Sequence, residues 1–419
     1  MELAVLFDHR FYRYPGRAIH SPTSYSYAFF RERYLSVFDS VSILARVDEA
    51  PLDSFRHSQP TEGPGVRVVD LGEWTGARGF LRSRRAVVRE SQRFMDRGAA
   101  FVMIVPGGVA SLAFLHLVRK NYPFVLEVVS DPWEAFSPGA CSHPLRPVLR
   151  RWGRRILRRQ CGLADAALYV TRHVLQARYP CGGLTAGISD VVLPPEAFAA
   201  APRTFDAKSL TIITVAGMPQ LYKGQDLLID AAGMCMRSGL DLHLVLVGDG
   251  RHRRELENRA GAVGIGPRVR FAGEVHPASA VRAELDSADL FVLPSRTEGL
   301  PRALVEAMAR ALPCIGTHVG GVPELLDPDD LAVPRDAGAL AQRISEVASN
   351  RSRMAEMSLR NWRKAAEYEE RILVRARTDY YRLVKDLCQE RLSANARSRG
   401  SLPAKRSSLS TRPSPDSET

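Results

Sequence analysis

The sequence predicts an α/β protein of two domains, each made of βαβ units around a mostly parallel sheet. Three observations carry that expectation. The chain has 419 residues, 45% of them hydrophobic, enough for two ordinary cores. Short apolar runs alternate with helix-forming segments along its length. A stretch holding three prolines and a run of alanines, Leu193 to Lys208, separates two such series.

In chain order, Leu3 to Phe7 reads as a first buried strand, followed by a loop from Asp8 through Phe11-Tyr12-Arg13-Tyr14-Pro15-Gly16. A helix is expected over Tyr25 to Tyr34 and a strand over Val41 to Ala45. Residues 50–65, rich in Pro, Gly, Ser and Asp, read as a surface excursion. Arg78 to Arg97 forms a basic helix, and Phe101 to Val105 and Phe124 to Val129 are strands. Ala99 to Val118, which includes the first of these, is uncharged for 20 residues, nominally enough to cross a bilayer. Pro106-Gly107-Gly108 interrupts it, so it reads as strand, turn and buried helix. Ala164 to Val170 ends the first series. The second contains strands at Leu210 to Ala216, Leu242 to Val247, Val269 to Gly273, Leu290 to Leu293 and Pro313 to Gly316. Helices cover Ala303 to Ala311, Ala339 to Ala348 and Arg351 to Lys385. From Ser393 onward Ser, Arg, Pro and Ala dominate without apolar periodicity, which predicts disorder.

The net charge of +12 sits mainly in the first half, where residues 1–200 carry +8. Such a surface suits phosphate-rich partners: a membrane, a lipid pyrophosphate or nucleic acid. No nucleic-acid recognition motif accompanies the charge, and no nucleic-acid partner is expected. Met1-Glu2 opens no signal peptide. Six cysteines lack CxxC or zinc-type spacing, and no acidic cluster has metal-ligand spacing, so reduced structural thiols in a cytoplasm are expected. Arg146 to Gln160 interleaves seven arginines with Val148, Leu149, Trp152, Ile156 and Leu157 at helical spacing. That pattern fits either a helix lying on an anionic membrane face or one docked on its own domain with a solvated basic side.

The chemistry is concentrated in Phe291 to Leu326, FVLPSRTEGLPRALVEAMARALPCIGTHVGGVPELL. A buried strand ends at Pro294-Ser295, and a loop with Glu298 and Gly299 follows. Pro301 stands where its fixed φ suits a first helical position. Free N–H groups at that helix start favour an anion, and Gly299 permits close approach. One of the two carboxylates, Glu298 and Glu306, can accept from sugar hydroxyls and the other from a ribose. Together they read as a nucleotide-diphosphate pocket. Asp131, in the loop after the Phe124 strand, is a candidate for a sugar hydroxyl or, equally, the N-cap of a helix starting at Pro132.

This stretch resembles the signature of the retaining glycosyltransferases of family 4, which have the GT-B fold: two Rossmann-like β/α/β domains facing a central cleft. Their E-x7-E element is present as Glu298 and Glu306 with the EGLP, EAMA and GGVPE neighbours. Gly217-Met218-Pro219-Gln220-Leu221-Tyr222-Lys223-Gly224 resembles the family's G-R-L-x-x-x-K-G loop. The resemblance is strong over residues 208–385 and loose over 1–200. It implies that Glu298 contacts the transferred sugar, Glu306 the ribose, and Lys223 the diphosphate as a compact point charge. Glu298, Lys223 and Glu306 are thus the expected catalytic residues. Gly217, Gly299, Leu300, Pro301, Arg302, Gly248 and Glu274 are expected around the donor, with Glu274-Val275 near the base. Met218 replaces the usual arginine, and Arg296 or Arg302 could supply the second cation.

Gly16 and Asp131 are the candidates for acceptor or sugar contacts. The family's loop after the first strand has paired glycines, and here only Gly16 is available. Many members carry a histidine where this chain has Asp131. The implied organisation is an acceptor domain over residues 1–195, a linker over 196–208 and a donor domain over 209–365. A helix over 366–391 crosses back, and a basic tail covers 392–419. The implied activity is retaining transfer from a UDP- or GDP-linked sugar, with no metal. The acceptor expected is a glycan or lipid-linked intermediate of cell-surface polysaccharide synthesis, at the inner face of the plasma membrane. A non-catalytic partner subunit, or an epimerase or phosphorylase on the same fold, is the alternative.

Overall fold

Apolar residues in consecutive rather than alternating positions make strands that are covered on both faces. Ala100–Val105 and Leu290–Leu293 are buried at every position and lie inside two separate sheets. The computed structural model describes residues 1–400, apart from 24, 52–57, 75, 138–142 and 207–208.

The first half of the chain runs β1 (Glu2–Arg13), β2 (Ile19–Ser21), α1 (Tyr27–Tyr34), β3 (Ser40–Glu49), β4 (Gln59–Pro60), β5 (Val66–Asp70), α2 (Gly76–Asp96) and β6 (Ala100–Val105). It continues with α3 (Gly108–Arg119), β7 (Val125–Val128), α4 (Pro132–Ala135), α5 (Arg146–Leu163), β8 (Ala166–Tyr169), α6 (Val174–Arg178) and β9 (Leu184–Gly187). Strands β5, β3, β1, β6, β7, β8 and β9 are parallel neighbours in that order. The short β2 and β4 add antiparallel pairings beyond the end of β1.

The second half runs β10 (Leu210–Val215), α7 (Gln225–Arg237), β11 (Leu242–Val247), α8 (Arg253–Val263), β12 (Val269–Gly273), α9 (Ala278–Asp286) and β13 (Leu290–Leu293). Then follow α10 (Arg302–Ala309), β14 (Cys314–Thr317), β15 (Leu331–Ala332), α11 (Ala337–Ala348), α12 (Arg351–Ala365) and α13 (Glu370–Gly400). Its sheet is parallel in the order β12-β11-β10-β13-β14-β15. Sequence order reverses between β10 and β13, and ligands of such sheets bind beyond the carboxyl ends of the strands at that point.

Several elements differ from the sequence expectation. β1 does not stop at Phe7. A bulge between Leu6 and Arg10 lets it resume pairing with Arg46–Glu49 of β3 as far as Arg13. The expected aromatic loop is therefore mostly strand, and Gly16, at φ +68°, lies in the turn leading to β2. Strands β5 and β9 lie where no strand was expected. The single helix expected over Arg351 to Lys385 breaks at Ala366–Tyr368. There Leu193 N–H donates to Tyr368 O, and Glu370 N–H donates to Leu193 O. α13 then runs to Gly400, past Leu392, where the tail was expected to begin. The rest of that tail, and parts of the 50–65 excursion and of the linker, fall outside the described residues. Ala99 to Val118 divides into β6 and α3, and no described helix is long and apolar enough to cross a membrane.

α13 crosses back to the first sheet. Its Tyr381, Val384 and Cys388 are fully buried beside Phe30, Tyr34 and Phe38. The contact centres on Glu127 of β7, a carboxylate in an otherwise apolar strand, 2% exposed. It accepts from Arg33 at 2.5 Å, from the Tyr34 hydroxyl at 2.7 Å, and from the Tyr381 hydroxyl. Burial alone would push this carboxyl up, but Arg33 and the two hydroxyls outweigh it and hold it below the usual range.

Removing one member of a buried pair strands the other, which costs about 3–5 kcal/mol. Glu127→Ala is therefore expected to lower the urea midpoint sharply, by several times the shift of Tyr381→Phe, which loses only one hydrogen bond to a charge. Because the folded carboxyl sits below its unfolded value of 4.5, this stabilisation is present above that pH and is lost as pH falls through the folded value. Urea midpoints of wild type and Glu127→Ala that converge on acidification are the expected signature.

Candidate active site

The loops after β10 and β13 emerge side by side because those strands are neighbours. Gly224 ends the first loop at φ +76°, and a Cβ there would lie 2.0 Å from Pro294 O, so only glycine permits this approach. The backbone of Arg296 donates to Tyr222 O at 2.7 Å and locks the two loops together. The Arg296 guanidinium reinforces them through Asp226, at 2.9 and 2.6 Å, and Leu221 O. Arg296 is thus committed to holding the loops, and of the two candidate second cations only Arg302 lines a cavity of the site.

Lys223 and Glu298, 75 residues apart in sequence, meet at this seam: the ammonium lies 2.8 and 2.9 Å from the carboxylate oxygens. Ser295 Oγ donates to the same carboxylate at 2.6 Å, and Lys223 also stands 5.1 Å from the Tyr222 ring centre. The Glu298 side chain is 5% exposed and that of Lys223 21%. The ammonium is therefore the accessible partner, and one of its three donors is left for an incoming anion.

Two cavities share Lys223. One, of about 260 Å³, is lined by Ser130, Asp131, Ala135, Gln220, Tyr222, Thr297, Glu298 and Gly299, and lies between the halves of the chain. The other, of about 580 Å³, lies on the second half and is lined by Gly217, Gly248, Asp249, Gly250, Glu274, Val275, Val281, Pro301, Arg302 and Glu306, among others. Pro301 is the N-cap rather than the first helical residue, so α10 starts at Arg302 with no side-chain cap. Its first turn borders the larger cavity. Glu306 sits one turn further in, where burial raises its carboxyl above the usual range against the pull of Arg302 and Arg282.

Asp131 lines the small cavity and is also the N-cap of α4, accepting from Trp133 N at 2.8 Å. It further accepts from Arg178 at 2.6 Å and from the Tyr179 hydroxyl. Three of its roughly four acceptor positions are thus taken within the protein. Leu300 packs against the core instead of lining either cavity, and Gly16 lines neither. Met218 is fully buried in the core of the second half, so the position carries no charge toward the cavity. Sequence reasoning missed Tyr222, Thr297, Asp249 and Glu134. The first two flank Lys223 and Glu298 directly, and that adjacency was the available signal.

The third loop closes the site from below. Gly320, at φ +50°, has its Cβ position 2.0 Å from Glu298 O, and Gly321 N–H donates to Gly299 O at 2.7 Å. The same turn sends Glu324 across to the first half, where it accepts from the backbone N–H groups of Arg172, His173 and Val174 at 2.6, 2.9 and 2.6 Å.

Residues 209–350 match the family described as glycosyl transferases group 1. The chain is 23% identical over 361 residues to Protein CapJ of Staphylococcus aureus, a match spanning 84% of this chain and 90% of CapJ. It is 35% identical over 157 residues to the putative colanic acid biosynthesis glycosyltransferase WcaL of Escherichia coli K12, covering 35% of this chain and 38% of WcaL. The fold is similar to that of Anabaena Alr3699/HepE, solved in complex with UDP. That likeness has a TM-score of 0.62 at 17% identity and covers 90% of this chain and 98% of the other.

An ionised carboxylate accepts from both hydroxyls of a ribose diol more strongly than its protonated form does, and Glu306 ionises above its ordinary value of 4.5. Nucleoside diphosphate affinity is expected to fall on acidification through that raised midpoint. Glu306→Gln should bind more weakly at neutral pH and lose the part of the pH dependence that the carboxyl supplies, leaving that of the ligand's own terminal phosphate. Calorimetric titrations with UDP and GDP between pH 4.5 and 8 check both.

Proposed function

We propose that this chain, whose residues 209–350 match the glycosyl transferases group 1 and whose fold is similar to that of Anabaena Alr3699/HepE, is a glycosyltransferase that moves a sugar with retention from a nucleotide-diphosphate donor to a cell-surface glycan intermediate. The observation that carries this is Lys223 at the junction of two cavities, with Glu298 on one side and Glu306 on the other. The larger cavity suits a nucleoside, with Glu306 toward the ribose and Glu274-Val275 toward the base. The diphosphate then meets the free donor of Lys223 and the first turn of α10, with Arg302 as the second cation. The sugar enters the smaller cavity beside Glu298.

Retention without a covalent intermediate is supported by the state of the carboxylates. A double displacement needs a carboxylate oxygen turned toward the anomeric carbon, and partners that hold both oxygens elsewhere oppose that. Among the described residues lining the smaller cavity, Glu298 is bound by Lys223 and Ser295, and Asp131 by Trp133, Arg178 and Tyr179. Neighbouring Glu134 is paired with Arg178 and Thr297. In the proposed step the bond from the sugar's anomeric carbon to the diphosphate oxygen breaks. The acceptor oxygen bonds to the same face, and its proton passes to the departing phosphate. Lys223 and the helix N–H groups stabilise the charge that develops there.

WcaL, whose name gives colanic acid biosynthesis, supports a surface-polysaccharide acceptor. A site at the inner membrane face is supported by α5. Arg150 and Arg154 stack on Trp133, 3.8 and 4.9 Å from its ring centre, so one side of the helix is docked. Arg151, Arg155 and Arg159 are exposed along with Val148 and Trp152, at 63% and 52%.

Lys223→Ala and Glu306→Ala are each expected to cost about 2–4 kcal/mol of transition-state stabilisation, roughly 30- to 1,000-fold in rate. Glu298→Ala should be at least as harmful and should relax sugar discrimination more than nucleotide binding. Turnover across a panel of nucleotide sugars tests this, and a fully active, folded Lys223→Ala protein would refute the phosphate assignment.

For the membrane face, each exposed arginine contributes about 1 kcal/mol near an anionic surface. The triple change of Arg151, Arg155 and Arg159 to Gln should therefore weaken co-sedimentation with phosphatidylglycerol vesicles about a hundredfold at low salt. Equal binding by both proteins would leave α5 with no membrane role.

A further inference from the structure

The cavity of about 260 Å³ that holds Lys223 and Glu298 has the space of roughly nine water molecules, so one sugar ring fills it. Its charged lining is Asp131 from the first half of the chain and Glu298 and Lys223 from the second. Protein donors fix both carboxylates, yet each keeps one oxygen half used. In Glu298, Oε1 accepts from Lys223 and Ser295, and Oε2 from Lys223 alone. In Asp131, Oδ1 accepts from Trp133 N and the Tyr179 hydroxyl, and Oδ2 from Arg178 alone. A carboxylate oxygen takes about two hydrogen bonds, so Oε2 and Oδ2 can each accept one more.

The cations near Asp131 are already engaged. Arg178 Nη1 donates to both Asp131 and Glu134. Arg150 donates to Trp133 O at 2.6 Å, and with Arg154 it stacks on the Trp133 ring. None of the three lines the cavity. Thr297, which does, has its hydroxyl turned to Glu134 at 3.4 Å, and the third donor of Lys223 is the one assigned to the diphosphate. The other polar side chains of the lining, Ser130, Gln220 and Tyr222, are uncharged. A sugar hydroxyl can donate to Oε2 or Oδ2. A carboxylate on the sugar has no hydrogen to give and would lie beside two like charges without a cation to pair it.

We propose that Asp131 and Glu298 make this cavity selective for an uncharged, hydroxyl-bearing monosaccharide and exclude uronic acids, with Asp131 as the specificity-determining residue on the first half. The inference rests on the transfer reading above and narrows its donor from a nucleotide sugar in general to one whose sugar is neutral. It also gives Asp131 a task beyond capping α4. The cap, Tyr179 and Arg178 hold the carboxylate still, and its remaining acceptor position is offered to the sugar.

Glucose and glucuronate differ only in carrying a hydroxymethyl or a carboxylate on the same ring carbon, so their nucleotides isolate charge and hydrogen-bond direction. Calorimetry on the full-length protein compares UDP-glucose with UDP-glucuronate, UDP-galactose with UDP-galacturonate, and GDP-mannose with GDP-mannuronate, alongside bare UDP and GDP. In the pair whose neutral member binds most tightly, that member is expected to lead by about a hundredfold, the scale of leaving a charge unpaired in a cavity. Asp131→Asn keeps an oxygen for the cap of α4 and turns the Oδ2 position into a donor. Ser130→Lys instead adds a cation to the same wall, and it keeps the test alive if the first variant fails to fold. Each should shrink the lead below tenfold while the affinity for the bare nucleotide stays at the wild-type value. A lead near onefold in the wild type with UDP or GDP bound, or a lead unchanged in both variants, would overturn this proposal alone. Failure of both UDP and GDP to bind would refute the donor reading, and this inference with it.

Discussion

Glu127 is the contact on which the relation between the two halves depends. A carboxylate in the middle of a strand buried on both faces is tolerable only if its oxygens are filled. Here Arg33, Tyr34 and Tyr381 fill them. Tyr381 belongs to α13, which follows the second half in sequence yet packs against the first sheet. The network therefore specifies where the crossing helix sits, in addition to whatever it contributes to stability. Arg377 of the same helix donates to Ser189 O at 2.7 Å, and the backbone exchange between Leu193 and Tyr368–Glu370 fixes the crossing point itself. These contacts position the loop after β7, which carries Asp131, relative to the loops after β10 and β13.

The chemistry at that opening follows from topology and charge together. The order β12-β11-β10-β13-β14-β15 makes β10 and β13 neighbours, so Lys223 and Glu298 meet. Tight glycine contacts then remove the freedom of the loops, since Gly224 and Gly320 each leave no room for a Cβ. Most cations near the site are arginines already committed: Arg296 to Asp226, Arg178 to Asp131 and Glu134. The planar guanidinium suits such fixed forks, whereas a lysine ammonium keeps a rotatable donor. Lys223 is thus the member of the set able to remain paired with Glu298 and still meet a phosphate.

What the sequence made legible was whatever has a local signal. Leu290–Leu293 reads as a strand because an apolar run stopped so soon by Pro294 is too short for a buried helix and too greasy for a surface loop. The EGLP and KG motifs carry their neighbours with them, so Lys223, Glu298 and Glu306 could be named before any contact was known. Val66–Asp70 escaped because it is only five residues long, three of them apolar, and closes a Pro- and Gly-rich stretch that reads as loop. β1 beyond Phe7 escaped because a bulge shifts its register, and a bulge has no reliable sequence mark. Asp131 was open between cap and ligand, and the structure shows the cap while also placing it at the cavity wall. The partners of Glu127 were beyond local reading, with Arg33 94 residues away and Tyr381 254. The one available clue was a glutamate inside the apolar run Val125–Val128.

Glu324 shows how one motif can serve two purposes. Its turn, Gly320-Gly321-Val322-Pro323-Glu324, packs beneath the Glu298 loop through Gly320 and Gly321. At its far end, the same turn sends a carboxylate to three successive N–H groups of the first half. Those N–H groups open the short helix α6, whose last residue, Arg178, holds Asp131 and Glu134 in place. A displacement of the halves would therefore move the support of Glu298 and the partner of Asp131 together. The two walls of the smaller cavity are mechanically linked through Glu324, so the space beside Glu298 keeps its shape only while the halves keep theirs. That coupling gives a reason for a glutamate at the end of a glycine-rich turn that lines neither of the cavities sharing Lys223: its contribution is to the geometry of the crevice.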